Sequence, residues 1–333
     1  MNPNPNKISF PERVEIVEVG PRDGLQNESE WVPTEMKIEL INRLAASGIR
    51  TIEAASFVSP KWIPQMKDSL EVMKGIQRKS SVRYPVLTPN LKGLERALEA
   101  GAEEVAVFAA ASEAFSQKNI NCSISESIER FRPLIHEAKG AGVTVRGYIS
   151  CVMGCPYQGE VDAETVAELA ETMCKLGCRE ISLGDTIGVG TPLQAQNLVK
   201  TVGQRVPLDQ IALHFHDTRG QALANLYACL ELGVSVIDSS VAGLGGCPFA
   251  SGASGNVATE DVIYMLDGMG IETGIDSEKL LDVVQFVSQS LGRPPQSRVG
   301  RANLNHLKKE ANMKSNKGNG YENTARTHAG SSW

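Results

Sequence analysis

Two histidines, His214 and His216, stand two positions apart in an apolar run and have the clearest capacity for chemistry in this chain. Side chains at i and i+2 share one face of a β-strand, so a strand here directs both imidazoles to the same side. Neutral imidazoles suit a divalent metal ion. The alternative is a pair of hydrogen-bonded core histidines, but two adjacent histidines without a shared task are costly to desolvate. The pair therefore predicts a metal site.

Polar side chains also mark other apolar runs of the sequence. Arg22 and Asp23 follow the first run, Glu53 lies in the second, and Asp185 ends the sixth. Asp23 could add a carboxylate oxygen to a histidine-bound ion such as Mg²⁺ or Mn²⁺, the alternative being an aspartate that caps a turn. Arg22 suits a developing oxyanion. Its alternative role, an ion pair with Glu53, is compatible with the first.

A glycine-rich segment spans residues 239–256, with Cys247 at its centre. Glycine density of this kind indicates a mobile lid or a close approach of backbone to ligand. A phosphate-binding loop is the competing interpretation, although no Walker-type Lys-Ser/Thr pair follows. We expect Cys247 to be exposed enough to move a proton, rather than to act as an inert small hydrophobe.

Short β-rich runs alternate with amphipathic stretches eight times, which is typical of parallel strands joined by helices. We therefore predict an α/β fold, a TIM (β/α)8 barrel, whose reactive groups gather at the carboxyl ends of the strands. The predicted strands cover residues 14–20, 50–57, 82–88, 104–109, 143–150, 180–184, 211–216 and 236–241.

The predicted barrel is flanked by two further segments. Residues 1–12 form an N-terminal extension, residues 13–300 the catalytic domain, and residues 301–333 a polar tail that we expect to be disordered. A C-terminal helical extension is predicted at 277–291.

Composition limits the partners. A net charge of −6 over 333 residues argues against nucleic acid and anionic membranes, and favours a small molecule. Seven unevenly spaced cysteines do not form a disulfide framework. Because no apolar stretch is long enough for a signal or membrane segment, and the start lacks transit-peptide character, we expect a cytoplasmic protein.

Four longer stretches, at residues 19–28, 56–62, 182–188 and 240–248, are specific enough to indicate a family. Together they make the chain resemble the 3-hydroxy-3-methylglutaryl-CoA lyases over nearly all of residues 14–291. The resemblance implies a pyruvate carboxyltransferase-like TIM barrel and a metal-dependent lyase. Such an enzyme splits (S)-3-hydroxy-3-methylglutaryl-CoA into acetyl-CoA and acetoacetate, as in leucine degradation and ketone-body metabolism.

The resemblance also implies roles for individual residues and a homodimer. Three residues remain open as the general base: Asp23, Asp185 and His214. The implied catalytic residues are Cys247, Arg22, Asp185 and Glu53; the implied metal ligands are Asp23, His214, His216 and Asn256; and the implied substrate or CoA contacts are Arg22, Gln26, Lys118 and Asn119.

Three rival functions are considered. A lyase for a longer 3-hydroxy-3-alkylglutaryl-CoA shares every feature above. A condensing synthase of the same superfamily is disfavoured by Cys247 and by the lack of an additional regulatory domain. A non-catalytic barrel paralogue would be free to lose the polar residues that this chain retains.

Overall fold

Within the part of the chain that the structure describes, the apolar runs of the sequence form nine short parallel strands that belong to one sheet. The computed structural model describes residues 10–246 and 255–305. The strands are β1 Glu15–Glu18, β2 Thr51–Ile52, β3 Ala55–Ser56, β4 Val86–Leu87, β5 Glu104–Ala110, β6 Thr144–Ser150, β7 Glu180–Asp185, β8 Ile211–Phe215 and β9 Val236–Ser239.

The sheet closes on itself through the segment that carries β2 and β3. Strand β2 pairs with β1, whereas β3 pairs with β4. Between them, the Glu53 amide donates to the Glu18 carbonyl (2.9 Å) and the Ala54 amide to the Pro85 carbonyl (3.0 Å). The single strand predicted at 50–57 is divided into β2 and β3 at residues 53 and 54. It hydrogen-bonds to both of its neighbours, since the Ile52 amide also donates to the Arg83 carbonyl (3.0 Å). Counted as one, β2 and β3 complete the eight strands of the predicted TIM barrel.

Helices cover the outside of the barrel. They are α1 Thr34–Ala46, α2 Ser69–Gly75, α3 Leu91–Glu99, α4 Glu113–Ile120, α5 Ile124–Gly140, α6 Ala163–Leu176, α7 Pro192–Val202, α8 Ala222–Leu230, α9 Thr259–Gly268 and α10 Ser277–Ser290. Among the described residues, no helix has the length and apolar character needed to cross a membrane.

The C-terminal extension begins with α10, which matches the helix predicted at 277–291. A further helical segment covers 298–305, so helix continues into the first residues of the predicted tail. Residues 1–9 and 306–333, with most of the predicted N-terminal extension and tail, lie outside the described residues.

The two faces of the sheet differ in polarity. Along β6, Val145 and Ile149 pack in the apolar layer between sheet and helices. Arg146 and Tyr148 point into the barrel, where Arg146 is fully buried against Asp238 and Glu180. Buried charges of this kind are tolerated only when they are paired. The barrel interior is thus a polar core that leads to the carboxyl ends of the strands.

Candidate active site

The loop after β1 is held in place by a buried carboxylate, Glu18. One of its oxygens accepts hydrogen bonds from the amides of Gly20 (2.8 Å) and Val241 (2.9 Å), and the other from the Thr259 hydroxyl (2.6 Å). Burial raises the pKa of Glu18 to about 7. Glu18 therefore ties the loop after β1 to the segments that follow β9.

Residues 20–24 form a wide helical turn that directs Arg22 and Asp23 over the barrel mouth. Arg22 pairs with Asp23 (Nη1–Oδ1, 2.8 Å) and with Glu53 (Nη2–Oε2, 2.7 Å). Burial lowers the pKa of the Arg22 guanidinium, but Glu53 and Asp23 outweigh burial and raise it well above its ordinary range. The ion pair between Arg22 and Glu53 that the sequence suggested is therefore present. It holds a permanently charged guanidinium at the barrel mouth.

Glu53 and Tyr148 complete the surroundings of that cation. The Tyr148 hydroxyl donates to Glu53 Oε2 (3.2 Å), and the Arg22 guanidinium lies 5.6 Å from the Tyr148 ring centre. Two buried atoms, Arg22 Nε and Glu53 Oε1, have no hydrogen-bond partner among the described residues. Unmet hydrogen-bonding capacity beside a fixed charge is suited to a polar ligand.

The two histidines lie side by side, with ring centres 5.5 Å apart. One nitrogen of each ring and an oxygen of Asp23 all lie within 4.8 Å of one another. His214 Nδ1 lies 3.2 Å from Asp238 Oδ2, which leaves Nε2 facing Asp23 Oδ2 at 4.0 Å. This is the arrangement that the i, i+2 spacing predicted.

The donor set fits a divalent ion. Burial and the neighbouring His214 lower the pKa of His216 to about 4, so its ring is neutral near pH 7 and offers a lone pair. Its Nδ1 is buried and lacks a partner among the described residues. Asp23 is ionised, since Arg22 and His214 overcome the effect of burial and lower its pKa. Two imidazoles with a carboxylate form a mixed nitrogen and oxygen site.

Two amide side chains stand next to Asp23. Asn256 Nδ2 donates to Asp23 Oδ2 (2.7 Å), and Gln26 Nε2 donates to Asp23 Oδ1 (2.9 Å). Asn256 is held beside β8 by a backbone bridge to His216. Among the described residues the Asp23 carboxylate accepts only side-chain donors, a pattern that favours the ligand role over a turn cap.

The structure places three predicted residues apart from this cluster. Asp185 ends β7, where its oxygens accept from the amides of Val189 (3.1 Å) and Gly190 (2.9 Å), and burial raises its pKa. Lys118 and Asn119 lie on the exposed side of α4, and Lys118 Nζ lies 4.8 Å from the centre of the Tyr157 ring. The predicted proton donor, Cys247, lies outside the described residues.

Sequence reasoning missed the residues that support the site from inside the barrel. Asp238 accepts two hydrogen bonds from Arg146 (2.7 and 3.0 Å) and one from Ser182 (2.8 Å), besides its contact with His214. Burial raises the Asp238 pKa, but Arg146 and His214 lower it far more. The sequence did carry one signal for these supporting residues, which is a single acidic or arginine residue within an otherwise apolar strand.

The two described ends of the glycine-rich segment, residues 244–246 and 255–256, pack tightly against each other. We call these residues the stem of the segment. Gly245 has a left-handed backbone (φ +95°), and a Cβ on Gly255 would lie 1.9 Å from the Gly245 carbonyl oxygen. Asn256 Nδ2 also donates to the Leu244 carbonyl (3.3 Å). The two ends of this segment thus meet beside Asp23.

Comparison with known proteins agrees with this arrangement. The HMGL-like family matches residues 13–287. The mitochondrial hydroxymethylglutaryl-CoA lyase of Bos taurus is 58% identical over 294 residues, which cover 88% of this chain and 90% of the bovine protein. The cytoplasmic 3-hydroxy-3-methylglutaryl-CoA lyase of Mus musculus is 55% identical over 296 residues, covering 89% and 86% of the two chains.

Solved structures give the same result. Hydroxymethylglutaryl-CoA lyase from Pseudomonas aeruginosa superposes with a TM-score of 0.88 at 56% identity, covering 89% of this chain and 99% of that one. An HMG-CoA lyase from Acinetobacter baumannii, in complex with coenzyme A and 3-methylmalate, has a TM-score of 0.84 at 40% identity and covers 88% and 96%. The barrel, its polar mouth and these similarities together establish that the chain belongs to the HMGL-like family.

Proposed function

We propose that this protein cleaves (S)-3-hydroxy-3-methylglutaryl-CoA to acetyl-CoA and acetoacetate by a metal-assisted retro-Claisen reaction. The observation that carries the proposal is the cluster of Arg22, Asp23, His214 and His216 at the carboxyl ends of the barrel strands. Lyases of this name are similar to the chain over most of its length. The protein is therefore a carbon–carbon lyase.

The reaction removes a proton from a tertiary hydroxyl and moves electrons into a thioester carbonyl. Asp23, His214, His216 and Asn256 would hold a divalent ion, Mg²⁺ or Mn²⁺, which lowers the pKa of a bound hydroxyl and fixes its orientation. Asp23, His214 and Asp185 are the candidate bases. Asp23 and His214 belong to the cluster itself, whereas Asp185 lies at the end of the neighbouring strand β7.

Arg22 would stabilise the enolate oxygen that forms when the carbon–carbon bond breaks. Its guanidinium is held by Glu53 and Asp23, so it needs no reorganisation as charge develops. Glu53 acts on the reaction by positioning Arg22. Cys247 would then protonate the enolate carbon, because the stem of its segment lies beside Asp23 through Asn256.

Substrate contacts beyond the reacting carbons belong to the same proposal. Gln26 lies beside Asp23, and we assign it to the acyl group. Lys118 and Asn119 are exposed on α4 and would meet the CoA moiety, a ligand that the A. baumannii relative binds in its solved complex.

Assembly, location and pathway complete the proposal. We assign residues 13–300 to the catalytic domain, within which the family match lies. We also propose a homodimer, testable by light scattering, and a role in leucine degradation. The proposed location is cytoplasmic, as in the mouse relative, and cell fractionation would separate it from the mitochondrial location of the bovine relative.

The deciding experiment measures acetoacetate release by the purified protein. We expect activity to vanish after chelation and to return with Mg²⁺ or Mn²⁺. Arg22→Met should abolish turnover, while a variant of an exposed cation on the outer face of α7, Lys200→Ala, should not affect it. Absence of turnover from folded, metal-loaded protein would refute the proposal, and turnover of only a longer 3-hydroxy-3-alkylglutaryl-CoA would reassign the substrate.

A further inference from the structure

A cavity opens at the opposite end of the barrel from the cluster of Arg22, Asp23 and the histidines. Its volume is about 490 Å³, within the usual range of small-molecule sites, roughly 300–1,000 Å³. Glu15, Glu180 and Val236, which line it, are the first residues of β1, β7 and β9. The cavity therefore lies at the amino ends of the strands and shares no lining residue with the metal cluster.

Four arginines line this cavity: Arg13, Arg50, Arg83 and Arg179. Arg83 is neutralised, since it pairs with Glu15 and with Glu104. The other three form no ion pair among the described residues, which include every other residue of the lining. All three are exposed, so solvent screens their mutual repulsion. Their guanidiniums are available to bind an anion at this concave surface.

The acidic residues of the lining are largely engaged elsewhere, although Arg179 lies near enough to Glu15 to help lower the pKa of that carboxyl. Glu15 is engaged by Arg83 and the Thr51 hydroxyl, and Glu180 by the buried Arg146 (2.6 Å). This leaves Asp209, an exposed residue, as the acid of the lining that forms no ion pair among the described residues. With four arginines against Glu15, Glu180 and Asp209, the lining has a formal charge of +1, in a protein whose net charge is −6.

The remaining polar groups of the lining are donors suited to oxygen-rich anions. Hydroxyls are supplied by Ser80, Ser81, Ser235 and Thr273. Guanidiniums match phosphate oxygens with two parallel hydrogen bonds, and hydroxyls complete such sites. The cavity is larger than a lone phosphate ion needs, and its apolar patches come from Ile16, Val236 and Ile275.

We propose that this cavity is a binding site for a phosphate-bearing small molecule, held by Arg13, Arg50 and Arg179. The shared chemistry is a phosphate dianion, and a phosphate ester of a small polyol fits the volume and the hydroxyl lining better than inorganic phosphate does. The site shares no residue with the proposed lyase site, because it lies at the far end of the barrel.

The test is calorimetric titration of the metal-loaded protein with glucose 6-phosphate, inorganic phosphate and, as a neutral probe, glucose. We expect glucose 6-phosphate to bind, glucose not to bind, and the double variant Arg50→Ala/Arg179→Ala to weaken binding by about tenfold or more, as expected for the loss of charge-assisted hydrogen bonds. Preferential binding of inorganic phosphate would support the same site with the free ion as its ligand.

A matched control separates the site from bulk charge. The variant Arg132→Ala/Lys200→Ala also removes two exposed cations, from the outer faces of α5 and α7, and should bind like the unchanged protein. Acetoacetate release should be unchanged in both double variants, which also shows that they fold. Equal affinity in the two double variants, or no binding of either phosphate probe, would overturn the proposal whatever the outcome for the lyase reaction.

Discussion

A single carboxylate, that of Asp238, orients the His214 ring at the barrel mouth. Its contact with Nδ1 (3.2 Å) fixes the ring so that Nε2 faces Asp23. The Asp238 carboxylate also accepts hydrogen bonds from Arg146 and Ser182. Such carboxylate–histidine pairs orient metal ligands and raise their basicity.

Asp238→Asn should therefore weaken metal binding by about 10- to 100-fold. The amide keeps the shape of the side chain but removes the charge that holds both His214 and Arg146. Titration with Mn²⁺, followed by electron paramagnetic resonance, measures the change directly. The matched variant Ser182→Ala removes one hydrogen bond to the same carboxylate and should have a much smaller effect. Unaltered Mn²⁺ affinity in Asp238→Asn would contradict the assigned role.

Glu18 makes the stability of the protein depend on pH. Its pKa is raised by burial from 4.5 to about 7, so the native state holds this proton more tightly than the unfolded chain does. Stability contributed by the protonated form is present below about pH 4.5 and is lost as pH rises through about 7. Glu260, whose pKa burial also raises to about 7, acts in the same direction.

Glu18→Gln should remove part of this pH dependence. The Gln carbonyl can still accept from Gly20 and Val241, and its amide can donate to Thr259. Between about pH 5 and pH 8, the variant should gain stability relative to the unchanged protein by at most about 3 kcal/mol. Urea unfolding at the two pH values measures this gain. Parallel pH profiles of the two proteins would show that Glu18 is not the titrating group.

At the scale of elements, the stem of the glycine-rich segment joins the loop after β9 to the Asp23 region. Gly255 packs against the Gly245 backbone so closely that a methyl group has no room. Asn256, directly after Gly255, donates to Asp23. The stem geometry and the position of a proposed metal ligand are therefore coupled.

Gly255→Ala should lower both turnover and stability, with a stability loss of about 1–3 kcal/mol from overpacking. The backbone must shift, because the overlapping atom is a carbonyl oxygen. Gly268→Ala, at the exposed end of α9 where a Cβ meets none of the described residues within 4 Å, should lower neither quantity. Thermal unfolding and acetoacetate release measure the two effects, and a neutral Gly255→Ala would show that the stem tolerates movement.

At the scale of the whole molecule, buried ion pairs connect the two ends of the barrel. Glu180, which lines the arginine cavity, pairs with Arg146, and Arg146 pairs with Asp238, which contacts His214. Replacing one member leaves an unpaired buried charge, which is strongly destabilising. The network therefore belongs to the stability of the fold as well as to the site.

Metal binding should consequently stabilise the entire barrel. An ion that binds only the folded chain adds about 2.7 kcal/mol when its concentration is 100 times Kd. We expect Mn²⁺ to raise the thermal midpoint of the chelator-treated protein by several degrees. His216→Ala, which lacks one of the three clustered ligands, should show a smaller rise. Identical midpoints with and without saturating Mn²⁺ would argue against a metal site built by the fold.

Much of the site followed from local sequence patterns. The i, i+2 spacing of His214 and His216 determines their common face on β8, because strand geometry is local. Alternating apolar runs determine parallel strands, and parallel strands bring Asp23 and Glu53 to the same end as the histidines. Arg22 forms an ion pair with Glu53, which is the alternative role that the sequence suggested for it.

Only the tertiary structure decided which distant groups support that site. Glu18 and Thr259 are 241 positions apart, and Arg146 and Asp238 are 92 apart. No periodicity encodes such partners, since they meet only when strands that are distant in the sequence assemble into one sheet, with β1 beside β9 and β6 three strands away from β9. The sequence by itself determined the strands and the reactive residues at their ends. Closure of the sheet decided the buried pairs that hold those residues, because pairing across a barrel depends on register and stagger rather than on local pattern.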